Sequence, residues 1–121
     1  MSKTILVVED QEDNRQILRD LLSANDYDML EAENGEEALA AVKKQRPDLI
    51  LMDIQLPVLD GYEATRRLKA DPATKSIPVI VVTSYALSGD ETKARESGCD
   101  AYVTKPYSPR ALLAKIKEFL P

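Results

Sequence analysis

The chain has 121 residues, 44% hydrophobic and 31% charged, with a formal net charge of -5. That is enough for one domain and too little for two, so residues 1–121 are expected to form a single unit. The acidic balance argues against a nucleic-acid partner. The absence of His excludes His-based catalysis and ordinary zinc sites, and Cys99, the one cysteine, excludes an internal disulfide.

No apolar run approaches the roughly 20 residues of a membrane span. Lys3 is followed by only a short apolar run before Glu9, so no secretory leader is read. The expected compartment is the reducing cytoplasm, with no membrane attachment.

In chain order, "TILVV" (4–8) is β-branched and uninterrupted, as a buried parallel strand should be. Residues 13–24 carry Ile17, Leu18, Leu21 and Leu22 as one apolar stripe at helical spacing. "YDMLEA" (27–32) predicts a shorter, alternating strand. "NGEEALAAVKKQ" (34–45) predicts a helix capped by Asn34 and ended by Pro47. "DLILM" (48–52) reads as a second buried strand, and "GYEATRRLKA" (61–70) as a helix. Lys43, Lys44 and Arg46 are expected at a solvated helix end, and Arg66, Arg67 and Lys69 on the surface. "IPVIVV" (77–82) reads as a third buried strand, with Pro78 near its start. Residues 88–97 predict a helix poor in apolar anchors, closed by Gly98. Cys99 is expected to pack beside that glycine. "AYVT" (101–104) is a final strand, and 109–120 a helix presenting Leu112, Leu113, Ile116, Phe119 and Leu120.

Strict alternation of strand and helix implies right-handed crossovers and a parallel sheet covered on both faces. Ligands on such sheets sit beyond the carboxyl ends of the strands. Those ends carry Glu9 and Asp10, then Asp53, then Thr83, then Lys105 after Thr104. Strand ends meet water and are often polar for that reason alone. Three acids together, however, repel. At about 5 Å and an effective dielectric of about 20, each pair costs roughly 3 kcal/mol. Such a cluster takes up protons or a cation, and an all-oxygen donor set suits Mg²⁺. Asp53 follows "LILM", a run that belongs in a core, so its carboxylate needs compensation. Lys105 offers positive charge and Thr83 a hydroxyl. With these around it, Asp53 can attack phosphorus as a nucleophile.

The segments "VVEDQEDNR" (7–15), "PDLILMDIQLPVLDGYE" (47–63), "PVIVVTSYA" (78–86) and "GCDAYVTKP" (98–106) resemble those of two-component response regulator receiver domains. The resemblance covers the whole chain and is strongest to stand-alone receivers of the cell-division and chemotaxis kind. It implies a flavodoxin-like (βα)5 sandwich with strand order 2-1-3-4-5. It implies Asp53 as phosphoacceptor, with Thr83 and Lys105 gripping the phosphoryl oxygens. Mg²⁺ would be held by Asp10, Asp53 and the Gln55 carbonyl, and by Glu9 mainly through water. Tyr102 would be an aromatic switch, and the Lys105–Pro106 peptide would be cis. Gln55 and Tyr85 would flank the path of hydrolytic water, and the bulk of Tyr85 predicts slow loss of phosphate.

The implied function is to accept a phosphoryl group from a histidine kinase or phosphotransfer protein and to signal to a downstream protein target. The chain would be a monomer or a weak phosphorylation-dependent dimer, and not an enzyme acting on others. No output domain follows Pro121 in the sequence, so output is expected through protein contacts on the face of 88–97, 101–104 and 109–120. Two alternatives stand beside this one. An aspartate-nucleophile phosphatase resembles the site, but typically has a second Asp where this chain has Gln55. A degenerate receiver would bind partners without phosphorylation, which the intact acid set argues against.

Overall fold

The computed structural model describes residues 2–83 and 88–121. Along the chain run β1 (Thr4–Val8), α1 (Glu12–Ala24), β2 (Asp28–Ala32), α2 (Gly35–Lys44) and β3 (Leu49–Asp53). Then come α3 (Gly61–Ala70), β4 (Val79–Thr83), α4 (Ser88–Glu96), β5 (Ala101–Thr104) and α5 (Pro109–Phe119). The strands form one parallel sheet in the order β2-β1-β3-β4-β5.

Alternate strand residues feed two cores. Leu6, Val8, Ile50, Met52, Val79 and Val81 pack with Ala38, Val42, Ala64, Leu68 and Ala94 from α2, α3 and α4. On the opposite face Ile5, Val7, Leu49, Leu51 and Ile80 pack with Leu18 and Leu22 of α1 and Leu112 and Ile116 of α5. β3 and β4 are buried at every residue, which is why both read as unbroken apolar runs. β2, at the sheet edge, is only partly covered.

Local chemistry sets the helix starts. The side chain of Asn34 accepts the Glu37 N–H at 2.9 Å, and that of Asp60 the Glu63 N–H at 2.9 Å. Ser108 accepts the Ala111 N–H at 3.0 Å, with Pro109 opening α5. After α4, Gly98 takes the left-handed conformation, with φ 87°, that ends a helix most cheaply in a residue without Cβ.

Four expectations need correction. β3 extends one residue further than 48–52 and ends on Asp53 itself, while β4 begins at Val79 and runs through Thr83. Ile17 shares the helical spacing of the α1 stripe, yet it is 59% exposed. It lies at the edge of the stripe, where the sheet no longer reaches it. Leu113 is only half-buried, with Leu112 and Ile116 carrying the contact of α5. Lys69 is not a free surface lysine. Its ammonium donates to the carbonyls of Lys75 and Ile77 at 3.0 and 2.8 Å and to Asp100 at 2.6 Å. Asp100 also accepts the Val79 N–H at 2.8 Å, so this clamp joins the end of α3 to the starts of β4 and β5.

Val58 stands out in the loop between β3 and α3. Its φ is 68°, a left-handed conformation that crowds a β-branched side chain, and it is 80% exposed. Burial therefore returns little of the strain. Val58→Gly should stabilise the protein in urea unfolding by up to about 1 kcal/mol, the left-handed cost of about 1–2 kcal/mol less the backbone entropy of glycine. A less stable variant would show that the valine is packed or the backbone relaxed in solution.

Candidate functional site

Strand register builds the site. Val8 pairs with Met52 across β1 and β3, so Glu9 follows alongside Asp53. Asp53 pairs with Val82, and Thr83 with Thr104, which brings Thr83 and Lys105 to the same rim. One carboxylate oxygen from each of Glu9, Asp10 and Asp53 lies within 4.8 Å of the others. Glu9 and Asp53 are buried, and Asp10 is half-buried.

The Lys105 ammonium enters this cluster, 3.0 Å from Asp53 Oδ2 and 3.4 Å from Glu9 Oε1. Its backbone N–H donates to the Thr83 carbonyl at 2.6 Å, and the Lys105–Pro106 peptide is cis, as expected. The second oxygen of Asp53 accepts the Gln55 N–H at 3.1 Å. Glu9 accepts the Gln11 N–H at 3.0 Å and Asn14 Nδ2 at 3.3 Å. Gln11, through its backbone, and Asn14, through its side chain, thus orient one of the acids. Gly61 lets α3 begin directly behind Asp53, because a Cβ there would run into the Asp53 carbonyl.

Electrostatics at the rim are strained by design of the strands. Burial pushes the Glu9 carboxyl up to about 7; the Gln11 N–H opposes this, and Asp53 adds to it. Burial alone would lower the Lys105 ammonium, but Asp53 and Glu9 outweigh it and hold it above its ordinary value. Tyr107 is pushed up by burial beside these charges.

Of the residues singled out from sequence, Glu9, Asp10, Asp53 and Lys105 converge. Thr83 is buried at the end of β4. The Gln55 side chain is exposed while its backbone sits beside Asp53. Tyr102 is partly buried against the α3–α4 core. Tyr85 lies outside the described residues. Cys99 precedes β5, at the other end of the sheet, so the donors at the rim are all oxygen. Three carboxylates of this kind fit a hard divalent cation such as Mg²⁺ and not a thiophilic one. Sequence reasoning missed Arg15, a buried cation against the Glu9 carbonyl. Its signal was an arginine one turn into α1, indistinguishable from a surface residue without its partners.

The family model of the response regulator receiver domain matches residues 5–117. The chain belongs to that family, and is thus a receiver domain of two-component signalling. It is 47% identical over 120 residues to the polar-differentiation response regulator DivK of Brucella anthropi, covering 99% of this chain and 98% of that one. Among solved structures, a response regulator of Chloroflexus aurantiacus superposes with a TM-score of 0.94 at 31% identity, covering 99% and 98% of the two chains. The receiver domain of a sensor histidine kinase from Pseudomonas aeruginosa superposes with a TM-score of 0.92 at 33% identity, covering 99% and 98%. That structure holds a magnesium ion in its active site cleft.

The raised Glu9 carboxyl has a consequence for stability. Its folded value of about 7 exceeds the ordinary 4.5, so the folded state binds the proton more tightly. The resulting stabilisation is complete below about 4.5 and is lost as pH rises through about 7. Glu9→Gln removes this dependence. In urea titrations with chelator, the variant should gain on wild type by a few kcal/mol between about pH 5 and about pH 8. A difference that does not change with pH would mean that Glu9 titrates normally.

Proposed function

We propose that Asp53 is the phosphoacceptor of this receiver domain and that residues 1–121 act as one signalling module. The observation that carries this reading is the Lys105 ammonium 3.0 Å from Asp53 inside a cluster of acids at the carboxyl end of the sheet. An Asp53 oxygen attacks the phosphorus of a phosphohistidine. The P–O bond forms as the P–N bond breaks, the imidazole leaves, and an acyl phosphate remains on Asp53. Lys105 moves from carboxylate to phosphoryl oxygen, and the Thr83 hydroxyl donates to a second oxygen. Glu9, Asp10, Asp53 and the Gln55 carbonyl would hold Mg²⁺, which supplies charge neutralisation for the phosphoryl oxygens.

The donor is a histidine kinase or a histidine phosphotransfer protein. A hollow of about 600 Å³ beside the acids, walled by Ile17, Lys105, Pro106 and Tyr107, supports entry of a donor surface there. The exposure of Ile17 fits this better than a core role. Output runs through a downstream protein target on the α4, β5 and α5 face, with Tyr102 moving as Thr83 turns to the phosphoryl group. The protein acts in the cytoplasm as a monomer or weak phosphorylation-dependent dimer. No helix among the described residues is long and apolar enough to cross a membrane. It catalyses its own modification and is not an enzyme acting on other substrates. Gln55 in place of a second acid argues against a phosphatase.

Acetyl phosphate with Mg²⁺ should add one phosphoryl group by intact-mass measurement, and Asp53→Asn should abolish it. Full modification of Asp53→Asn would place the acceptor elsewhere. Mg²⁺ should also raise the melting temperature by mass action, and Asp10→Ala should blunt that response. The same increment in Asp10→Ala would move the cation to another site.

A further inference from the structure

Arg15 sits on the first turns of α1 and is buried, with 8% of its surface exposed. Every face of its guanidinium is engaged. Nε donates to Glu31 at 3.1 Å, and Nη2 meets Glu12 at 2.5 Å and Glu33 at 3.5 Å. Arg19 shares Glu12 and Glu31 with it, so three carboxylates face two guanidiniums and still exceed them by one negative charge. The remaining arm, Nη1, donates not to a carboxylate but to the backbone carbonyl of Glu9, at 2.8 Å.

That carbonyl belongs to the peptide linking Glu9 to Asp10. The N–H of Glu9 is held on its other side by the Ala32 carbonyl of β2, at 3.0 Å. Residue 9 is therefore fixed at both of its peptide groups, one by the sheet and one by Arg15. The sheet ends here, so no strand partner orients the Glu9 carbonyl. The plane of this peptide sets the direction in which the Asp10 side chain leaves the backbone, and hence where two of the three acids meet.

We infer that Arg15 is a positioning residue for the cation site, acting through the Glu9–Asp10 peptide and not through its charge. The inference rests on the reading of Glu9, Asp10 and Asp53 as that site. The planar fork makes Arg15 hard to replace. A lysine carries the charge but has one point of attachment, and three carboxylates compete for it against one carbonyl. Arg15→Lys therefore keeps the ion pairing that holds α1 to β2 and gives up the bond to Glu9.

The test titrates Mg²⁺ into wild type, Arg15→Lys, Arg15→Met and Asp10→Ala, following amide NMR signals of residues 9, 10 and 53. Melting temperature in chelator is measured in parallel, with acetyl-phosphate labelling rates across Mg²⁺ concentrations. Arg15→Lys should raise the Mg²⁺ dissociation constant roughly tenfold or more, the usual effect of losing a group that orients a ligand. Its melting temperature in chelator should stay close to that of wild type, and its labelling should recover as Mg²⁺ is raised. Arg15→Met should lose the same affinity and also stability. If that variant does not fold, Arg15→Lys alone decides. A dissociation constant in Arg15→Lys equal to that of wild type, with Asp10→Ala still defective, overturns the positioning role and leaves the site reading intact. Mg²⁺ that fails to move the signals of 9, 10 and 53 in wild type, or binds Asp10→Ala as well, overturns both.

Discussion

The contact of the Lys105 ammonium with Asp53 and Glu9 is the interaction on which the rest of the rim depends. Parallel strands end side by side, so whatever residues follow their last apolar positions are forced together. Here those residues are acids. Three carboxylates against one ammonium leave two net negative charges when all are ionised. Burial denies them full hydration. The protein can relieve this by protonating Glu9 or by binding a cation, and both compete for the same excess charge. Lys105 is weak enough a partner to be drawn away: it is a single point charge on a flexible stem, at 3.0 Å from one acid and 3.4 Å from another. On the proposed reading of Asp53 as acceptor, an incoming phosphoryl group would add negative charge beside the Lys105 ammonium.

The remainder of the fold keeps that excess in place. Asp53 is the last residue of a strand buried along its whole length, so its backbone cannot drift without disturbing Met52 and Ile50 in the core. The Gln55 N–H and the close approach of Gly61 hold the chain directly after it. At the other end of the sheet, the Lys69–Asp100 clamp fastens the starts of β4 and β5, the strands that deliver Thr83 and Lys105. Rigidity is thus concentrated at strand backbones, while the side chains at their tips remain the adjustable parts.

Much of this was legible in the chain. Buried parallel strands announce themselves as unbroken apolar runs, and β1, β3 and β4 are of that kind. Asn34 and Gly98 marked a helix start and a helix end through chemistry that is local. The acids and Lys105 were legible because alternation alone puts strand ends on one rim. What escaped depended on partners far along the chain. Lys69 finds Asp100 31 residues away, and Arg15 finds Glu31 16 residues away, and no local pattern distinguishes either from a solvated base. Ile17 erred in the other direction: helical spacing places it on the apolar stripe, but how wide a stripe the sheet covers is settled only by packing.

Arg15 and Lys105 show why two cations near one acid cluster need not do the same work. Arg15 is surrounded by Glu12, Glu31 and Glu33, the first two shared with Arg19, so its charge is met before it reaches the rim. Had it faced the carboxylates of Glu9 and Asp10 directly, it would have competed with any divalent ion for them. Neutralised from outside, it can hold a backbone carbonyl without weakening the negative field that a cation senses. Its guanidinium does not deprotonate, so this constraint persists at any pH at which the domain is folded. Lys105 carries no such retinue, and its charge is directed wholly at the rim. One cation shapes the site and the other responds to what enters it. The division follows from where their counter-charges sit and not from the residue types alone.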